Sequence, residues 1–112
     1  MKTLIRVKNI DLTDSISSLV ESKIANISKL FDGKMQELAE ARVEVGKPSM
    51  HHKTGFVYYA EINLKIGRKL YRAVAEHADI RTAIDLVRDE IENQIKKEKN
   101  KKIDLSRKPR RV

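Results

Sequence analysis

The side chains with the clearest chemical capacity in this chain are cations. Residues 96 to 112 hold Lys96, Lys97, Lys99, Lys101, Lys102, Arg107, Lys108, Arg110 and Arg111 against only Glu98 and Asp104, so this stretch carries +7 of the chain's net +8. Such a run binds polyanions, because each phosphate it neutralises releases condensed counterions. That attraction carries no sequence information and acts on anionic membranes as well as on nucleic acid. With no apolar anchor and no lipidation motif beside it, nucleic acid is the expected partner and a membrane is not. Little else could support chemistry. The chain has no cysteine, which removes disulfides, thiolate ligands and cysteine nucleophiles. His51 and His52 are adjacent, a poor chelating geometry, and no carboxylate or thiolate lies near them in sequence, so no metal site is expected. His77 and Asp79 sit where a strand hands over to a helix, and there an aspartate caps the helix. No glycine-rich phosphate loop, zinc helix or nucleophile elbow is present. The expectation is a protein that is not an enzyme and uses no cofactor.

The elements that must position these cations can be read from apolar spacing. Behind Asp79, Ile80, Ala83, Ile84, Val87, Ile91 and Ile95 recur at intervals of three and four, one stripe of a long helix. An earlier helix opens at Thr13, runs through Ile16, Leu19, Val20, Ile24, Ile27, Leu30 and Phe31, and is expected to close at Asp32-Gly33. Lys23 falls inside the apolar arc of that helix. Its stem would cover the seam beside the neighbouring helix, and its ammonium would emerge where a phosphate could sit. Lys29 points away from the arc.

Four strands are expected. Thr3 to Asn9 is the first, and the second alternates Ala39, Ala41, Val43 and Val45 with polar residues before a loop from Gly46 to Gly55. The third places Phe56, Tyr58, Ala60, Ile62, Leu64 and Ile66 on one face and Val57 and Tyr59 on the other. After a tight turn at Gly67-Arg68 comes the fourth, from Lys69 to Glu76, with Tyr71, Ala73 and Ala75 favoured for the core over Leu70 and Val74. The order β-α-β-β-β-α with one-sided elements points to an α+β two-layer sandwich: a four-stranded sheet with two helices on one face, the first two strands parallel and the rest antiparallel. Residues 1 to 95 would form one domain and residues 96 to 112 a flexible basic tail. The longest apolar run, Phe56 to Ala60, is too short to cross a bilayer, and no signal peptide is evident, so a cytoplasmic location is expected.

With that order in hand, the chain resembles the ribosome hibernation-promoting factor and ribosome-associated inhibitor family, also filed as sigma-factor modulation proteins. The likeness rests on Lys8-Asn9-Ile10-Asp11-Leu12-Thr13 leading into the first helix and Asp79-Ile80-Arg81-Thr82-Ala83-Ile84-Asp85 opening the last. The resemblance implies a protein that binds the small ribosomal subunit of idle ribosomes in the channel used by messenger and transfer RNA, monomeric when off the ribosome. Its partner there would be ribosomal RNA, met by basic side chains on the two helices and recognised by shape and charge. Lys23, Lys29 and Lys97 match commonly basic positions of the family. Asn26, Glu90 and Asn93 do not, and Arg81 stands where an aromatic residue is frequent. Arg81, Arg88 and the basic tail are expected to compensate. The tail also departs from relatives with an acidic extension, and the chain resembles the short forms that lack a second, dimerising domain. Two other readings compete: a general RNA- or DNA-binding module driven by the tail, and an adaptor that binds protein through the Val57 and Tyr59 side of the sheet.

Overall fold

The computed structural model describes residues 1–48 and 57–107, with the side chains of the last helix described as far as Lys101. The order is β1 (Lys2–Lys8), α1 (Asp14–Ser28), α2 (Gly33–Leu38), β2 (Ala39–Gly46), β3 (Tyr58–Ile66), β4 (Lys69–His77) and α3 (Ile80–Arg107). The sheet order is β1-β2-β3-β4, with β1 parallel to β2 and the other two pairings antiparallel. The α+β sandwich, its strand directions and its two long helices on one face agree with the sequence reading.

Strand alternation decides what the helices meet. Ala41, Val43 and Val45 of β2, Ala60, Ile62, Leu64 and Ile66 of β3 and Ala73 of β4 are buried. Small alanines at Ala41, Ala60 and Ala73 let helices approach closely, while Leu70 and Val74 point to the open face and are exposed. Onto this floor α3 lays Ala83, Ile84, Val87, Ile91 and Ile95, all buried, over β3 and β4. Val20, Ile24 and Ile27 of α1 fill the adjoining seam. Each fully buried isoleucine is worth about 1.5–3 kcal/mol of apolar transfer, which is why a stripe of this length holds a helix that propensity alone would not. The outer edge of β4 is partly covered, since the Gln94 amide donates to the Arg72 carbonyl at 2.9 Å.

Helix starts follow the expected caps. Thr13 Oγ1 accepts from the Ile16 amide at 3.1 Å. Asp79 accepts from the Arg81 amide at 3.2 Å and from the Thr82 hydroxyl at 3.0 Å. His77 Nδ1 accepts from the Asp79 amide at 2.9 Å, so both residues of that junction serve the chain reversal.

Three boundaries differ from the sequence reading. Asp32-Gly33 does not close the first helix. α1 ends at Ser28, Leu30 and Phe31 follow in a tightened turn with amides bonded three residues back, and Asp32 caps a further helix by accepting from the Met35 amide at 2.9 Å. Gln36 of α2 fastens this turn, its amide donating to the Ser28 and Phe31 carbonyls at 2.9 Å each. Six residues are too few to show a helical period, so the pattern missed α2. Gly46, read as the start of a loop, is the buried last residue of β2 beside Lys8. Finally, the last helix does not stop at Ile95 but runs without a break to Arg107. Its later turns are rich in lysine and hold no glycine or proline, and such a composition continues a helix after its apolar stripe has ended. Phe56, the histidine pair His51-His52 and most of the expected wide loop lie outside the described residues.

Candidate nucleic-acid interface

α1 and α3 run side by side, and the cations expected to reach RNA divide into those the fold has already engaged and those it leaves exposed. Lys23 belongs to the first group. Its ammonium lies 2.8 Å from Asp85 Oδ1 across the seam between the helices, with 21% of the Lys23 side chain exposed. Both sequence readings of Lys23 are therefore half realised: the stem covers the seam, and the head emerges between helices to meet a carboxylate of its own chain. Asp85, which the sequence offers only as the last residue of the second motif, is the residue that sequence reasoning missed here. Nothing local marks it, because its partner is on the other helix.

Arg88 is engaged likewise. Its guanidinium donates to Asp89 Oδ1 at 2.9 Å and stands 3.9 Å from Glu92. Lys99 donates to the Leu30 carbonyl and lies 5.5 Å from the centre of the Phe31 ring. Its neighbour Glu98 contacts the Lys69 ammonium and accepts from the Tyr71 hydroxyl at 2.8 Å. The first turn of the expected tail is thus bound to the domain on two sides. Lys29, Arg81, Lys96, Lys97 and Lys101 are exposed and have no ion-pair partner among the described residues. Lys97 and Lys101, one helical turn apart, share a side of α3, and Lys96 points about 100° away from Lys97. The side chains of Lys102 and Arg107, and all of Lys108, Arg110 and Arg111, lie outside the described residues.

These pairings predict different behaviour for two members of the expected site. The pair is only partly exposed, and a hydrogen bond to a charged group contributes about 1.5–3 kcal/mol, so Asp85→Asn should cost about 1 to 3 kcal/mol in urea unfolding. The same change releases Lys23, and the slope of log K against log salt for RNA binding should steepen by about 0.7 to 0.9, one added phosphate contact. Lys23→Gln in the unaltered chain should leave that slope unchanged.

Tyr71 gives the root of the arm, the extension of α3 beyond Ile95, a pH signature. Burial, then the hydrogen bond and negative charge of Glu98, push its phenol from 10.0 up to about 12. The neutral phenol is favoured in the folded state, so this contribution is complete below pH 10 and is lost as pH rises from 10 to 12. Stability should fall across that window, and Tyr71→Phe should flatten part of the fall. Tyr59, pushed higher still by burial and by its 2.6 Å hydrogen bond to Glu44, titrates later.

The open face of the sheet is largely self-neutralised. Arg72 meets Glu61 at 2.9 Å, Arg42 meets Glu40 at 3.5 Å and Arg6 meets Glu44 at 4.0 Å. Leu4, Leu70 and Val74 stand exposed around these pairs, while Val57 and Tyr59 are only half-exposed. No helix of the described residues is long and apolar enough to cross a membrane.

Comparison with known proteins gives this geometry its context. A family model described as sigma 54 modulation protein / S30EA ribosomal protein matches residues 4–103. A ribosome hibernation promotion factor of Lactococcus lactis is 31% identical over 110 residues, covering 98% of this chain and 54% of its own length. The chain therefore spans about half the length of that relative. A ribosome hibernation promoting factor of Azotobacter vinelandii is 29% identical over 104 residues, 93% of this chain and 88% of its own. Among solved structures, the N-terminal domain of Thermus thermophilus Protein Y superposes with a TM-score of 0.70 at 28% identity, covering 87% of this chain and 98% of that domain. A ribosomal subunit interface protein from Coxiella burnetii shares the fold, with a TM-score of 0.69 at 18% identity over 89% of this chain and 99% of its own. Since the matched segment takes in most of β1, all of the other strands, the three helix caps and the whole apolar stripe of α3, the chain belongs to the sigma 54 modulation protein / S30EA ribosomal protein family, the family of these ribosome hibernation factors.

Proposed function

We propose that this chain is a non-catalytic inhibitor of translation that binds the small ribosomal subunit through ribosomal RNA phosphates, in the channel used by messenger and transfer RNA, and silences idle ribosomes. One observation carries the reading. On a fold whose relatives are named for ribosome hibernation, α3 extends past its buried stripe and presents Lys96, Lys97 and Lys101 with no acidic partner among the described residues. Cations held on a helix continuous with the core keep a fixed spacing, and folded RNA is recognised by the arrangement of its phosphates more than by base edges.

The test is sedimentation of the protein with vacant small ribosomal subunits at near-physiological salt, with an equal mass of duplex RNA as competitor. Co-sedimentation that the duplex does not displace is the expected result. Displacement by any RNA would overturn the reading in favour of a general nucleic-acid-binding module. Ending the chain at Ile95 is a poor control, because it also removes Glu98 and Lys99 and strips Tyr71, Lys69 and the Leu30 carbonyl of partners. Glutamine substitution of the exposed lysines isolates their charge.

A further inference from the structure

The end of the molecule at which α3 leaves the sheet gathers side chains that are far apart in sequence. Register aligns Lys2, Glu40 and Lys65 on adjacent strands there. The turn from β3 to β4 closes at the same end, with Gly67 at φ +58 taking the first of two turn positions and Arg68 the second. The turn that follows α1 lies there too, since its Leu30 carbonyl is held by Lys99, and α2 follows with Lys34.

All but one of the named acids at this end are already in use. Asp32 caps α2, Glu40 meets Arg42, and Glu98 holds both Lys69 and Tyr71. Glu37 is the remaining acid on α2. Lys34, Lys65 and Arg68, by contrast, are exposed and have no ion-pair partner among the described residues. Between the hairpin and the root of the arm lies a cleft of about 310 Å³, whose charged lining, Asp32, Lys69, Glu98 and Lys99, is balanced and so leaves the excess of positive charge to the exposed cations around it.

We infer that Lys34, Lys65 and Arg68 form a second phosphodiester-binding surface, wrapping from the helical side over the β3–β4 turn to the open face and continuous with Lys96, Lys97 and Lys101. It deepens the RNA-binding reading and supplies contacts that lie outside both long helices. A strand of RNA held on the arm is held a second time at the sheet end, which fixes the direction in which it leaves the protein.

The experiment uses the full chain carrying Lys34→Gln, Lys65→Gln and Arg68→Gln together, with urea unfolding to show that the fold is unchanged. Binding to a labelled 20-nucleotide oligouridylate is titrated over a range of salt, and binding to vacant small ribosomal subunits is followed in parallel. Three lost contacts to a single strand should reduce the salt slope by about 2. Lys8→Gln, at the other end of β1, should leave it unchanged. An unaltered slope in the triple variant, or an equal per-residue effect of Lys8→Gln, overturns the surface. If the slope on oligouridylate falls while neither protein binds the subunits, the surface stands and the ribosome reading fails. If both proteins bind the subunits and the slope is unaltered, the reverse holds.

Discussion

Replacing Lys96, Lys97 and Lys101 together by glutamine is expected to weaken binding to small ribosomal subunits by on the order of a hundredfold at 0.15 M salt, and to lower the salt slope by about 2 to 3. The size follows from counterion release, in which each phosphate contact contributes about 0.7 to 0.9 to the slope and each loses its contribution independently of the others. The fold should not change, because these side chains are exposed and make no ion pair among the described residues. Glutamine keeps the helix propensity of lysine, so the arm stays helical while its charge falls. The matching triple change at residues the fold has engaged, Lys23, Arg88 and Lys99, should behave differently. It should reduce stability, by removing contacts to Asp85, Asp89 and the Leu30 carbonyl, and should lower the slope much less. Sedimentation over a salt series, with urea unfolding of each variant, separates the two outcomes. Equal slopes for both triples would mean that the internal pairs open freely to RNA and that the division between engaged and exposed cations has no functional weight.

Gly46→Ala should destabilise the protein by about 3 kcal/mol, while Gly33→Ala should stabilise it by about 0.4 to 1 kcal/mol. A Cβ on Gly46 would lie 2.0 Å from the Lys8 carbonyl oxygen, a backbone atom that no rotamer change can move away. Relief requires β1 to shift from β2, and this disturbs the bond from the Lys47 amide to the same Lys8 oxygen, now 3.0 Å long. Asn9, at φ +61, shares this corner and donates to the Lys47 carbonyl at 3.0 Å, so the start of the first family motif is strained along with it. At Gly33 a Cβ meets nothing within 4 Å, and the gain comes from the lower entropy of the unfolded chain. Urea unfolding of both variants checks the opposite signs. Two destabilised variants of similar size would refute the argument from close approach.

The residues through which the family shows itself in the sequence are largely the ones that build the fold. Asn9 turns the chain out of β1, Thr13 and Asp79 cap helices, and Ala83 and Ile84 are buried in the core. Asp85, the last residue of the second motif, holds Lys23. These motifs announce an architecture, and of the cations expected to meet RNA they contain only Arg81. Strand alternation and the apolar stripe made β3, β4 and the packed half of α3 legible, since each buries one face and its period is written locally. α2 escaped because its six residues are fixed by Asp32 and Gln36 and not by any stripe. The length of α3 escaped because past Ile95 nothing apolar repeats, although the backbone continues helical to Arg107.

The sequence by itself determined the order of the four strands and two long helices, the directions of the strands, most of the core residues and the concentration of positive charge toward one end. Each depends on spacing along the chain or on composition, and both are visible without a fold. Only the tertiary structure decided which cations are available. A charge is neutralised by what lies within a few ångströms, and those neighbours come from distant positions: Asp85 beside Lys23, Lys69 beside Glu98, and the Leu30 carbonyl under Lys99 across 69 residues of chain. Coulomb attraction falls with distance in space and takes no account of distance in sequence. For that reason Lys97 and Lys99, two members of one basic run, are unlike in the folded protein.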